Sequence, residues 1–166
     1  MEPQLDIAAC IPRLRRYARA LVSDRAGADD LVQDALERAW TRQAQFQSGT
    51  NLRAWLFAIM HNVYINQVRA RRETTLLDGS EIDVAVRATQ GDGLAIRDLE
   101  RALGTLPVEQ REVLLLVALE DMSYHEAAHT LGIPIGTVMS RLARGREKLR
   151  VLMHGAALSP KLQVVK

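Results

Sequence analysis

Residues 123–150 read SYHEAAHTLGIPIGTVMSRLARGREKLR. Ser123 followed three residues later by Glu126 is a capping box, so a helix starts at Tyr124. That helix is short, Tyr124 to Leu131, and carries two small residues, Ala127 and Ala128, where a second helix must cross closely. Gly132 can take the left-handed conformation that ends a helix, and Ile133 anchors the turn. A second helix follows from about Ile135 to Leu152, with Val138, Leu142 and Leu149 on its inward face. Its outward face carries Thr137, Ser140, Arg141, Arg144 and Lys148. The spacing is that of a helix-turn-helix, and the outward face has the chemistry a recognition helix needs. Arginine can hold guanine through two hydrogen bonds, while hydroxyls and lysine hold phosphates.

Working outward, Leu106-Pro107 makes a sharp boundary, because proline disfavours helix in the residue before it. The flanking helices are predicted near Leu94–Leu103 and Val108–Leu119, the latter rich in leucine and central to a core. The stretch from Glu73 to Gly93 (ETTLLDGSEIDVAVRATQGDG) has no sustained helical stripe and holds three of the ten glycines. It reads as a linker. Before it, helices are predicted at Ile7–Leu21, about Ala28–Gln43 and Leu52 to about Arg72, with a turn at Ser23–Gly27. In the second of these, Leu31, Val32, Ala35, Leu36, Ala39 and Trp40 recur at spacings of three and four and form one buried stripe. In the third, Leu52, Leu56, Ile59 and Val63 point inward. Strand signals are nearly absent. The expected fold is all-α, with two small helical domains at 1–73 and 94–155, a flexible linker at 74–93 and a poorly ordered tail at 156–166. Domains this small bury only about 60% of their unfolded surface, so each should gain stability from a partner.

Composition narrows the function. The chain has 166 residues, 22 Lys plus Arg, 20 Asp plus Glu, and 48% apolar residues. The longest apolar run, Val113–Leu119, is far short of the roughly 20 residues that span a membrane. Met1–Cys10 carries Glu2 and Asp6 but no Lys or Arg, unlike a secretory signal, so the expected compartment is the cytoplasm. Cys10 is the single cysteine, which leaves no internal disulfide and no cysteine-rich zinc site. Charge is unevenly placed. Residues 52–73 carry four basic and one acidic side chain, residues 74–134 four and eleven, and residues 135–166 seven and one. Two basic segments separated by an acidic one suggest two contacts with a polyanion.

The first domain offers three candidate surfaces. The polar face of its second helix presents Asp30, Gln33, Asp34, Glu37 and Arg38. The loop Phe46–Asn51 combines glycine with polar side chains. The third helix carries Trp55, Phe57 and Tyr64, the amides Asn62, Asn66 and Gln67, and ends in RARR, 69–72. Rings that stack bases beside arginines that hold the backbone suit single-stranded nucleic acid. Trp55 and Phe57 are expected to be buried. A different class is suggested by His125-Glu126-Ala127-Ala128-His129, which fits the H-E-x-x-H zinc-protease motif. The extended form of that motif needs a third histidine where this chain has Ile135. No other catalytic constellation stands out, so neither a cofactor nor a metal is expected.

Four stretches together resemble the extracytoplasmic-function sigma factors of bacterial RNA polymerase: DDLVQDALERAW at 29–40, GTNLRAWLFAIMHN at 49–62 followed by RARR, LPVEQREVLLL at 106–116, and 123–150. The resemblance covers about residues 8–155. It implies a sigma region 2 domain at 1–73 and a region 4 domain at 94–155. It implies that Asp30, Gln33, Asp34 and Arg38 grip the core polymerase. It implies that Phe46, Ser48, Gly49, Thr50, Asn51, Trp55, Asn62, Asn66, Arg69, Arg71 and Arg72 read and melt minus-ten DNA. Thr137, Met139, Ser140, Arg141, Arg144 and Lys148 would read minus-thirty-five DNA. Met139 stands where the family often has Lys or Arg, and Asn66 where it often has Asp. The resemblance further implies core RNA polymerase and promoter DNA as partners, an anti-sigma factor as regulator, and no enzymatic activity of the chain's own. The competing readings are a stand-alone helix-turn-helix regulator and, more remotely, a zinc metalloprotease.

Overall fold

The computed structural model describes residues 5–79 and 94–158; the rest of the linker and tail lie outside the described residues. Those residues form seven α-helices and one short 3₁₀ turn, with no strand among them: α1 (Ile7–Leu21), α2 (Arg25–Thr41), the turn Gln43–Gln45, α3 (Leu52–Asp78), α4 (Leu94–Thr105), α5 (Val108–Ala118), α6 (Tyr124–Leu131) and α7 (Ile135–Leu158).

Side-chain caps set most starts. Asp6 accepts from Ala9 N at 3.1 Å, Asp24 from Gly27 N at 3.0 Å and Asn51 from Ala54 N at 3.2 Å. The Asp24 cap corrects the predicted turn at Ser23–Gly27. Gly27 lies inside the first turn of α2, where an added Cβ would meet Val22 and Asp24 atoms at 3.2 Å. Its role is close approach, not helix breaking.

α3 also departs from expectation. It runs to Asp78, five residues into the segment read as linker. Thr74 and Thr75 hydroxyls bond back to Ala70 O at 3.0 Å and Arg71 O at 2.8 Å. Leu76 and Leu77 are good helix formers, and Gly79 ends the helix at φ 62°. Both leucines are exposed, so no buried stripe marks this last turn. α7 likewise continues to Leu158, into the expected tail.

α1, α2 and α3 pack together, with Tyr17 edge-on to Phe57 at 5.0 Å. α7 packs across α4, α5 and α6. The two groups are not separate bodies. α1 lies against α4 and α5, α3 lies against α6, and one continuous core runs from Leu14 and Phe57 through Leu116 to Val138 and Leu142.

The joint between the halves is polar. Arg111 of α5 donates to Leu21 O at the end of α1 (2.8 Å), and to Leu103 O (2.8 Å), Gly104 O (3.0 Å) and Leu106 O (2.9 Å) around the end of α4. One guanidinium therefore satisfies carbonyls that two helix ends leave without partners. In return, Arg16 of α1 donates to Leu119 O and Glu120 Oε1, both at 3.1 Å, and Arg53 of α3 to Glu120 O. Arg13 stands 3.9 Å from Glu120 Oε2. His61 Nδ1 lies 2.6 Å from Glu112 Oε1. The Glu112 and Glu120 side chains are 3% and 0% exposed.

Candidate nucleic-acid interface

The helix-turn-helix is built as its residues dictate. Ser123 Oγ accepts from Glu126 N at 3.1 Å, and Glu126 Oε2 accepts from Ser123 N at 2.8 Å. Ala127 is fully buried beneath α7. Gly132 sits at φ 65°, and Ile133 N closes the turn onto Ala128 O at 3.1 Å. Pro134 O then accepts from Thr137 N and Val138 N at 3.0 and 3.2 Å, starting α7. Val138 and Leu142 are buried. Gly145, also buried, lets α7 cross α5, with the position of its missing Cβ 3.4 Å from Gln110 Cβ.

α7 therefore turns one face outward. Met139, Ser140, Arg144 and Lys148 are exposed, and Thr137 and Arg141 half-buried. Ser140 Oγ is engaged with Thr137 O at 3.1 Å. Farther along, Arg150 pairs with Glu147 at 2.7 Å, which lowers the Glu147 carboxyl's pKa by that hydrogen bond first and by the guanidinium's charge next.

In the first half, Phe46 packs edge-on against Trp55 at 5.2 Å, and both are half-buried. Phe57 is buried as expected, whereas Trp55 keeps part of its ring accessible. Beyond Phe46, Ser48, Gly49, Thr50 and Asn51 are exposed. Gly49 has φ 87°, and Thr50 N and Oγ1 both donate to Gln47 O, at 3.2 and 2.7 Å. Trp55, Asn62, Asn66 and Arg69 follow at spacings of seven, four and three, a single row on α3. Asn62, Asn66 and Arg69 are exposed along it. Arg71 leaves that row. Its guanidinium reaches the first turn of α2, 3.7 Å from where a Gly27 Cβ would stand. Arg72 is exposed at the flank.

On α2, Asp30, Gln33 and Asp34 are exposed and Arg38 half-buried. Asp34 accepts from Gln67 Nε2 at 2.9 Å, so α3 braces it. Trp40 is 56% exposed, which corrects its place in the buried stripe. The buried row is Ala28, Leu31, Val32, Ala35 and Ala39. Leu36 is only half-buried at its edge, and Trp40 lies one turn beyond Leu36 at the helix end.

The H-E-x-x-H stretch does not assemble a metal site. His125 and His129 are exposed on α6. Glu126, the would-be base, is engaged by Ser123 and by Asn51 Nδ2 at 3.3 Å. Among the described residues no group of three or more His, Cys, Asp or Glu could hold a metal ion.

Sequence reasoning missed the joint residues Arg16, Arg53, His61, Arg111, Glu112 and Glu120. The one available signal was a charged pair, Arg111-Glu112, abutting the leucine run of α5.

Comparison with known proteins adds a second line. The Sigma2 domain of PhyR matches residues 7–61, and Sigma-70 region 4 matches residues 96–149. The chain is 40% identical over 151 residues to the ECF RNA polymerase sigma factor EcfG of Rhodopseudomonas palustris, covering 90% of this chain and 83% of that protein. Among solved structures, the sigma factor RpoE in complex with the anti-sigma factor NepR from Bartonella quintana superposes with a TM-score of 0.79 at 38% identity, over 97% of this chain and 96% of that one. CnrH in complex with the cytosolic domain of CnrY superposes with a TM-score of 0.66 at 32% identity, over 90% and 85%. No described helix is long and apolar enough to cross a membrane.

Proposed function

The chain belongs to the extracytoplasmic-function sigma factors of bacterial RNA polymerase, and from that membership we propose a division of labour between its two halves. It is a transcription initiation factor that directs the core polymerase to chosen promoters. The half up to about residue 73 carries core binding and minus-ten reading, and the half from 94 to 155 carries minus-thirty-five reading. α7 enters the major groove with Arg141 and Arg144 at base edges and Thr137, Ser140 and Lys148 toward phosphates; Met139 offers only apolar contact. The loop Phe46–Asn51 and the row Trp55, Asn62, Asn66 and Arg69 take the melted strand, with Arg71 and Arg72 on its backbone. Asp30, Gln33, Asp34 and Arg38 face a basic helical partner on the polymerase. The chain contributes no bond-breaking chemistry; the polymerase does that.

An anti-sigma factor completes the reading. The cleft between the halves, about 830 Å³, is lined by Leu99, Leu103, Leu114 and Leu115 with Arg16 and Arg19 at its rim. A regulator seated there touches both halves at once.

The observation that carries the proposal is two separate exposed faces, one amide-and-arginine row on α3 and one basic face on α7, borne by one chain. The test is in vitro transcription with sigma-free core polymerase and a promoter library from the source genome. Specific start sites sharing two spaced motifs are expected. Duplex binding without initiation would instead make the chain a stand-alone regulator.

A further inference from the structure

One side chain on the outward face of α7 differs in kind from the rest. Met139 is 47% exposed and takes no part in the core. Of the large apolar side chains exposed among the described residues, it alone stands in the first two turns of α7. Gly136 and Ala143 lie one turn to either side of it, and Ser140 follows it directly; all three are exposed. An added Cβ at Gly136 would meet nothing within 4 Å, so that stretch of backbone is open. Ser140 turns its hydroxyl back to Thr137 O at 3.1 Å. Small neighbours let the helix come close to another surface, and they leave Met139 as the side chain that projects toward it.

A single exposed apolar residue is ordinary on a protein surface. This one stands on the face that meets base edges, and there its chemistry limits what it can recognise. A thioether is a weak acceptor and no donor. It cannot pair with phosphate, so Met139 adds nothing to the sequence-independent, salt-sensitive part of binding. In the major groove guanine, adenine and cytosine present polar donors and acceptors, and thymine alone adds a methyl group. Against a polar edge, Met139 would displace water and return no hydrogen bond, which is unfavourable. Against the thymine methyl, two apolar groups leave water together. The unbranched side chain, with three rotatable bonds, can adjust to that methyl.

We infer that Met139 is a specificity-determining residue: it reads one thymine of the minus-thirty-five element through the C5-methyl group, beside the polar contacts of Arg141 and Arg144. The inference rests on the placement of α7 in the major groove proposed above. It assigns to Met139 discrimination without charge. A lysine at this position would do the reverse, holding a phosphate whatever the base beside it.

The test uses the full chain with core polymerase on a promoter selected from the library. Each thymine of the minus-thirty-five element, on either strand, is replaced in turn by uracil, which removes the methyl and keeps the base pairing. With the wild type, one such replacement is expected to weaken binding about fourfold, the effect of exposing one buried methyl, and the others to change little. Met139→Ala should bind the thymine promoter more weakly and be indifferent to that methyl. Met139→Lys should share the indifference while steepening the salt dependence by about one. A minus-thirty-five element without thymine on either strand overturns the inference. So does a wild type indifferent to every methyl, or a Met139→Ala protein that keeps the wild-type sensitivity. Should a variant unfold, the uracil series on the wild type still decides. Absence of initiation by the wild type overturns the sigma-factor reading instead. The same uracil series, read on whatever duplex the chain then selects, decides Met139 separately.

Discussion

Arg141 stands half-buried on α7, between the exposed Ser140 and Arg144. If its guanidinium grips a base edge, Arg141→Ala costs roughly 1–3 kcal/mol at one base pair and relaxes preference there. Selection from a randomised promoter library measures this; an unaltered preference would remove Arg141 from the reading set. Arg69 differs in kind, as an exposed arginine at the end of the α3 row. Arg69→Ala should weaken all promoters alike and lower the salt slope of binding by about one, read from a salt titration on two unrelated promoters. Glu126 is held below the ordinary carboxyl range, chiefly because Ser123's backbone N–H donates to it, with Arg53's charge and the Asn51 amide adding to the effect. A lowered folded value means stabilisation that is complete above the unfolded-state value and is lost as pH falls through the folded one. Glu126→Gln should therefore be less stable than the parent at neutral pH, with the gap closing below about pH 4. Denaturant midpoints across pH check this, and a gap indifferent to pH would contradict it.

At the scale of elements, local chemistry was largely readable. The bounds of α1 and α6 follow from an apolar stripe in the first and a capping box with a left-handed glycine in the second. Gly132→Ala leaves open space around the new Cβ, so its cost is the backbone's alone, roughly 1–2 kcal/mol. Urea unfolding should register that loss, and no loss would mean the turn is not held left-handed. Elements were misjudged where one residue type serves two purposes. Gly27 reads as a turn but permits a close approach inside α2. Leu76 and Leu77 extend α3 without burying anything, so periodicity could not find them. Trp40 sits at the edge of its stripe and faces water. The candidate site was legible as residue types at helical spacing on α3 and α7. The departure of Arg71 toward α2, and the bracing of Asp34 by Gln67, were not, because both depend on a neighbouring helix.

At the scale of the molecule, the two halves share one core. The two tryptophans, Trp40 and Trp55, both lie in the first half, so their fluorescence reports that half alone, while circular dichroism reports the helices of both halves. The two signals should unfold at one denaturant midpoint, because halves this small are marginal when separated. Separate midpoints would mean that the joint contributes little to stability.

The amino-acid order alone determined the helices, the helix-turn-helix and the two sets of outward polar residues. Caps, prolines and apolar spacing act within a few residues of themselves, and a short-range cause leaves a short-range signature. Only the tertiary structure decided that Arg111 would cap α1, that Glu120 would lie between arginines of α1 and the backbone contact of Arg53, and that His61 would meet Glu112. Those partners stand 51 to 104 residues apart. Nothing local distinguishes a charged residue destined for such a joint from one destined for water until the chain has folded back on itself.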